Sequence, residues 1–169
     1  GVRYDFGIET AVDKVEAVSW YLKSASQGYA DAQHNLGVIF SEAEGNESLK
    51  DLYAAVKWYR AAAGQGLPEA QNNLGVMYDK GKGVERNFEE AVKWYRKAAN
   101  QGFSAAQINL AFMYFYGKGV VSNYASAFTW FKKAAEQGDV HAYYYLGNCY
   151  LHGTGVSQDQ EMAIGWFIK

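Results

Sequence analysis

Cys149 is the one thiol in the 169-residue sequence. With His34, His141 and His152 it is the first place to look for nucleophilic or metal chemistry. A thiol nucleophile reacts as its thiolate and needs a cation or helix N-terminus beside it. Helical zinc sites need ligands at short spacings such as i, i+4. The three histidines show no such spacing, and Cys149 falls in a recurring column with Ile39, Met77 and Met113, which are core residue types. Asp and Glu are scattered, and nothing points to a Ser-His-Asp arrangement. Three tetrapeptides, Gly81-Lys82-Gly83-Val84, Gly117-Lys118-Gly119-Val120 and Gly153-Thr154-Gly155-Val156, suggest a phosphate cradle. A P-loop requires a preceding strand and Gly-x-x-x-x-Gly-Lys-Ser/Thr, and neither is present. These glycines read instead as helix terminators followed by a turn. Asn46-Glu47-Ser48 is a glycosylation sequon, meaningful in a eukaryotic secretory context. The sequence therefore predicts no catalytic residue, no metal ligand and no cofactor.

Two residue sets have binding chemistry. Lys57, Arg60, Lys93, Arg96, Lys97 and Lys132, with Lys133, recur in neighbouring columns. On one helix face they would form a basic ladder for an acidic or carboxylate-bearing peptide. The alternative is an ordinary solvated face with local pairs such as Glu89 with Lys93. The second set is aromatic. Phe115 stands where Ser41 and Asp79 stand, and Tyr116 where Glu42 and Lys80 stand. Tyr143 replaces Gln33, Gln71 and Gln107; Tyr145 replaces Asn35, Asn73 and Asn109; Tyr144 lies between them. Tyrosine gives recognition surfaces contact area at low entropic cost. The alternative is that these rings pack on each other or on a neighbouring repeat.

The columns come from a repeat. Trp20, Trp58, Trp94, Trp130 and Trp166 recur, the last four at a 36-residue period, each with Ala three residues before and an aromatic immediately after. Seven residues before each stands Asp13, Asp51, Asn87, Asn123 or Asp159, the residue types that cap helix N-termini. Gly28, Gly66, Gly102 and Gly138 end this helix A at a left-handed C′ position. Helix B then begins, with Pro68 at a first helical position, and runs to Gly81, Gly117 and Gly153. Tryptophan and tyrosine are expected to fill the space between successive pairs, Trp94→Ala costing about 3–5 kcal/mol. The fold predicted is all-α, a right-handed α/α superhelix of 36-residue helix–turn–helix repeats. Residues 1–169 read as one array. It comprises the end of a truncated repeat at 1–8, complete repeats at 13–45, 51–83, 87–119 and 123–155, and a further helix A at 159–169.

The string Ala91-x-x-Trp-Tyr-x-x-Ala-Ala-x-Gln-Gly102, with Ala70-Gln-x-x-Leu-Gly-x-x-Tyr-x-x-Gly-x-Gly-Val84 before it, resembles the Sel-one-like repeat (SLR) family, a relative of the tetratricopeptide repeat. The resemblance implies a protein-interaction scaffold or adaptor, as in bacterial export and host contact and in eukaryotic quality control. It favours a bacterial periplasmic or exported protein, with the eukaryotic secretory pathway also open. Some cysteine-rich relatives carry a disulfide in each repeat; a single cysteine cannot. Ala43 and Gly45 replace the usual Gly-x-Gly, and two extra residues precede Trp58, which makes Ser41–Lys50 a longer, acidic loop.

A net charge of −2 gives no argument for nucleic acid as a partner. No run of about 20 apolar residues calls for membrane insertion. Both termini fall inside repeats, so the chain is expected to be part of a longer array whose exposed ends allow dimerisation. The expected function is a non-enzymatic scaffold binding another protein or a peptide. A small-ligand or cell-wall-fragment receptor or enzyme, with a pocket among Tyr116, Tyr143 and Tyr144, is the alternative.

Overall fold

The computed structural model describes residues 14–42 and 51–169. Asp13, the sequon and most of the acidic 41–50 loop lie outside them. Among the described residues all regular structure is helical, in nine helices. They are α1 (Lys14–Ser26), α2 (Ala30–Glu42), α3 (Leu52–Gly64), α4 (Pro68–Lys80), α5 (Phe88–Asn100), α6 (Ser104–Tyr116), α7 (Tyr124–Glu136), α8 (Val140–His152) and α9 (Gln160–Phe167). Odd-numbered helices are helix A and even-numbered ones helix B. The chain forms two compact units, Gly1–Arg86 and Asn87–Lys169.

The predicted caps hold the helix starts. Asp51, Asn87, Asn123 and Asp159 each accept a hydrogen bond from the backbone N–H three residues on, at 2.8–3.0 Å. This satisfies a donor that the first turn leaves free. At the other end of helix A, Gly66 at φ +97° donates to Ala63 O while Leu67 N donates to Ala62 O. That paired pattern is the Schellman closure, and it recurs at Gly102 and Gly138. Inside α3 and α5 the apolar face is the predicted one: Ala55, Val56, Tyr59, Ala62 and Ala63, then Ala91, Val92, Tyr95, Ala98 and Ala99, all buried.

The division of labour among the aromatics differs from expectation. Tyr59, Tyr95 and Phe131, one residue after each tryptophan, are about 2 % exposed, whereas Trp58, Trp94 and Trp130 are half-buried and Trp20 is 45 % exposed. The tryptophan sits at the margin of its pair and carries a lysine on its face: Lys23, Lys97, Lys133 and Lys169 lie 3.7–4.4 Å from the ring centroids of Trp20, Trp94, Trp130 and Trp166. A Trp94→Ala change therefore removes less buried surface than full burial would give.

A second feature is polar. Gln33, Gln71 and Gln107 of helix B are buried. Each donates at 3.2 Å to a carbonyl at the end of the preceding helix A: Ala25, Ala63 and Ala99. The side-chain oxygen of Gln33 accepts from Gln65 Nε2 at 2.8 Å, and that of Gln107 from Gln137 Nε2 at 2.7 Å. This glutamine relay satisfies buried amides and ties each repeat to the next within its unit. Tyr143 occupies the same position in α8 and instead meets Trp166, 5.6 Å between ring centroids.

Candidate partner-binding site

The glycine loops are structural. Gly81, Gly117 and Gly153 stop helix B with left-handed backbone. The second glycine of each loop folds back on the start of helix A of its own repeat. A Cβ on Gly83 would overlap the Leu52 carbonyl, and one on Gly155 the Tyr124 carbonyl. Backbone contact, not an anion, explains these glycines.

The basic residues occupy helix A as predicted, and most of them work locally. Arg60 donates to the Tyr78 hydroxyl at 2.9 Å and Arg96 to the Tyr114 hydroxyl at 3.0 Å, bracing helix A on helix B of the same repeat. Lys93 pairs with Glu90 at 2.5 Å rather than with the expected Glu89, and this hydrogen bond and charge hold its pKa above the ordinary lysine value. Lys132 lies 3.8 Å from Glu136, and Lys57 sits 5.8 Å from the Trp58 ring centroid. A shallow depression of about 570 Å³ on α5 is lined by Lys93, Trp94, Arg96 and Lys97 among others.

The aromatic set separates into two groups. Phe115, Tyr116, Tyr144 and Tyr145 join a continuous ring cluster with Phe112, Tyr124 and Phe131, whereas Tyr143 contacts Trp166. Phe112, Phe115 and Tyr116 of α6, Phe131 of α7 and Tyr145 of α8 line a groove of about 550 Å³. Asn148, Cys149, His152 and Thr154 complete the lining. Tyr143 and Tyr144 are not part of it. Tyr116 and Tyr144 are the most exposed rings of the two helices, near 60 %.

An equivalent groove in the first unit shows what is special here. It is lined by Ser41, Leu52, Tyr59, Asn73, Val76, Met77 and Lys82. Repeat for repeat, Ser41 corresponds to Phe115, Tyr59 to Phe131, Asn73 to Tyr145 and Lys82 to Thr154. In the first unit the Ser41 and Tyr59 hydroxyls bond at 2.9 Å, and Asn73 Nδ2 lies 3.1 Å from His34 Nε2. In the second unit Phe115 and Phe131 remove that hydroxyl pair together, and Tyr145 is stacked 5.2 Å from Phe131. Phe112, Phe131, Asn148, His152 and Thr154 were not among the predicted binding residues. The joint loss of hydroxyls at 115 and 131 was the signal in the sequence.

Cys149 is buried, and burial pushes its thiol up to about 11. Near pH 7 the thiol is held in its neutral form. The folded protein holds the thiol proton more tightly than the unfolded chain does. Stability is therefore unaffected below the ordinary thiol range and falls as pH climbs from near 9 towards 11. Alkylation by iodoacetamide at pH 7.5 should be slow in native protein and fast in urea; comparable rates would contradict a buried thiol. Among the described residues no three His, Cys, Asp or Glu side chains gather to hold a metal, and no helix is long and apolar enough to cross a membrane.

The family described as Sel1 repeat matches residues 1–29, 30–67, 68–103, 104–139 and 140–169. From residue 30 on, each segment pairs a helix B with the helix A that follows, half a repeat out of phase with the A–B division used above. The fold is similar to that of c5321, a protective antigen of uropathogenic Escherichia coli displaying an SLR fold. Identity is 42%, the TM-score is 0.92, and the match covers 99% of this chain and 35% of that one. A Sel1 repeat protein from Oxalobacter formigenes matches at 35% identity and a TM-score of 0.91, over 99% of this chain and 66% of that one. Helicobacter pylori cysteine-rich protein B matches at 26% identity and a TM-score of 0.57, over 72% and 91%. The chain thus spans about a third of the first of these proteins and just under two thirds of the second. No curated protein matches it.

Proposed function

The chain belongs to the Sel1 repeat family, and on that premise we propose that it is a non-catalytic scaffold whose second unit captures a partner protein or peptide on the face formed by α6 and α8. Solenoids of this family commonly mediate protein–protein interaction. The observation that carries the reading is compositional and geometric together. Neither α6 nor α8 contains an Asp, Glu, Lys or Arg, yet Tyr116 and Tyr144 stand out from them into solvent beside an open groove. Uncharged surface is cheap to desolvate, and rigid aromatic rings make efficient anchors.

Affinity capture from a native extract tests it, with the protein as bait and the partner identified by mass spectrometry. Tyr116→Ala with Tyr144→Ala should weaken partner binding by about thirtyfold, equivalent to losing one hot spot of about 2 kcal/mol. Lys93→Glu with Arg96→Glu should leave it nearly unchanged. The reverse pattern would move the site to the basic depression on α5, the second surface that the helix A lysines and arginines support. The aromatic lining of the groove also suits a small apolar ligand. The receptor alternative predicts thermal stabilisation by some member of a metabolite and glycan panel.

A further inference from the structure

The scaffold reading does not say what enters the groove between α6 and α8. We infer, resting on that reading, that the groove takes a linear peptide segment of the partner that presents an aromatic or large aliphatic side chain with a carboxylate next to it. The apolar side chain occupies the aromatic groove, and the carboxylate meets Lys118.

Three observations combine. The first is shape. Phe112 meets Phe131 and Tyr145 edge-on, at 79° and 82°, and Phe115 meets Tyr116 at 70°. Bulky rings line this groove where the equivalent first-unit groove has smaller side chains. An incoming ring can extend the same edge-to-face arrangement. The second is polarity. The matching groove in the first unit offers Ser41, Asn73 and Lys82, suited to a polar side chain, and the second unit replaces these with Phe115, Tyr145 and Thr154. At these three positions an apolar side chain meets no amide or ammonium group, while Asn148 and His152 remain in the lining.

The third is charge. Lys118 lies 5.6 Å from the ring centroid of Tyr116, which lines the groove, and 5.6 Å from that of Phe88. It makes no ion pair among the described residues, while Lys93 and Lys132 have Glu90 and Glu136. α6 and α8 carry no carboxylate; the start of α5, where Phe88 lies, carries Glu89 and Glu90, and Glu90 is taken by Lys93. The charge at this rim is a cation waiting beside an aromatic groove, so the complementary ligand carries an anion beside its hydrophobic anchor.

Selection of a phage-displayed library of random linear peptides on the folded protein tests this. Enriched sequences should pair Phe, Trp, Tyr or Leu with Asp or Glu. A blocked synthetic peptide of that sequence should bind about tenfold more weakly to Lys118→Glu and to Asn148→Trp, which narrows the groove. Both variants must keep the parent melting temperature; if Asn148→Trp does not, Lys118→Glu, at an exposed loop position, decides alone. Enriched peptides without this pairing, or with affinity unchanged by Lys118→Glu, overturn the inference and leave the scaffold reading intact. Binding of N-acetylphenylalanine as tight as the peptide's also overturns it, in favour of a small-molecule site. If no peptide is enriched, the inference falls, and partner capture then separates the two ideas: dependence on Tyr116 and Tyr144 keeps the scaffold reading, and its absence removes both.

Discussion

Phe131→Ala should destabilise the protein by about 3–5 kcal/mol, more than Trp130→Ala beside it. Phe131 is 2 % exposed, packs with Ala111, Ala127 and Cys149, and makes ring contacts with Phe112 and Tyr145 at 5.2 Å each. Its removal leaves a void under the groove that the rigid helix backbones cannot close. Trp130 is the larger residue, but it is half-buried and shares its ring with Lys133. Urea unfolding of both variants measures the difference as a change in midpoint at constant slope. A larger loss for Trp130→Ala would mean that the tryptophans, not the residues after them, form the core. Because repeats in such arrays hold their neighbours, the Phe131 loss should also lower hydrogen-exchange protection in α6 and α8.

The second large effect is expected from a single methyl group. Gly83→Ala should cost about 2–6 kcal/mol, combining roughly 1–3 for a left-handed non-glycine backbone with roughly 1–3 for steric overlap. Gly83 has φ +65°, and its Cβ would run into the Leu52 carbonyl at the start of α3. Gly81, with the same φ, is the control. A Cβ there meets nothing closer than Arg86 Cβ at 3.1 Å, so Gly81→Ala should show mainly the smaller, conformational cost. Thermal melts of the two variants should differ by several degrees. Equal melting temperatures would show that the loop can lift away from α3.

Helix count, caps, terminators and the alanine-lined interior were legible because each is a local rule repeated several times, and repetition removes chance. Asp51 and Asn87 cap because of their own side chains, whatever surrounds them. The inversion between tryptophan and the following aromatic was not legible. A one-residue step turns a helical side chain by about 100°, and sequence does not say which of two adjacent rings faces the previous repeat. The groove was legible in part. Phe115, Tyr116 and Tyr145 were marked by departing from their columns, but Tyr143 departs just as strongly and contacts Trp166 instead. Phe131 looked like an ordinary member of an aromatic column; its missing hydroxyl gains meaning only beside Phe115. The role of the glutamines before Gly66 and Gly138 was not legible, since their amide partners in earlier repeats are visible only in three dimensions.

The glutamine relay closes with nearly the same geometry in both units, 2.8 Å and 2.7 Å, although Gln33 and Gln65 are two residues further apart in sequence than Gln107 and Gln137. The joint beside it behaves alike. Asp51 N–H returns to Phe40 O at 3.0 Å, while Asn123 and Asp159 return to Tyr114 and Tyr150 at 2.9 Å across two fewer residues. By sequence the two extra residues fall between Glu42 and Asp51, and the flanking contacts keep the period of the array. Lengthening a loop costs only about 0.6 kcal/mol per doubling, so this joint can accept a graft, such as an epitope or a fluorophore-carrying cassette, while the stack on either side keeps its register. In an array of repeats, such joints are where new sequence can be tried without renegotiating the fold.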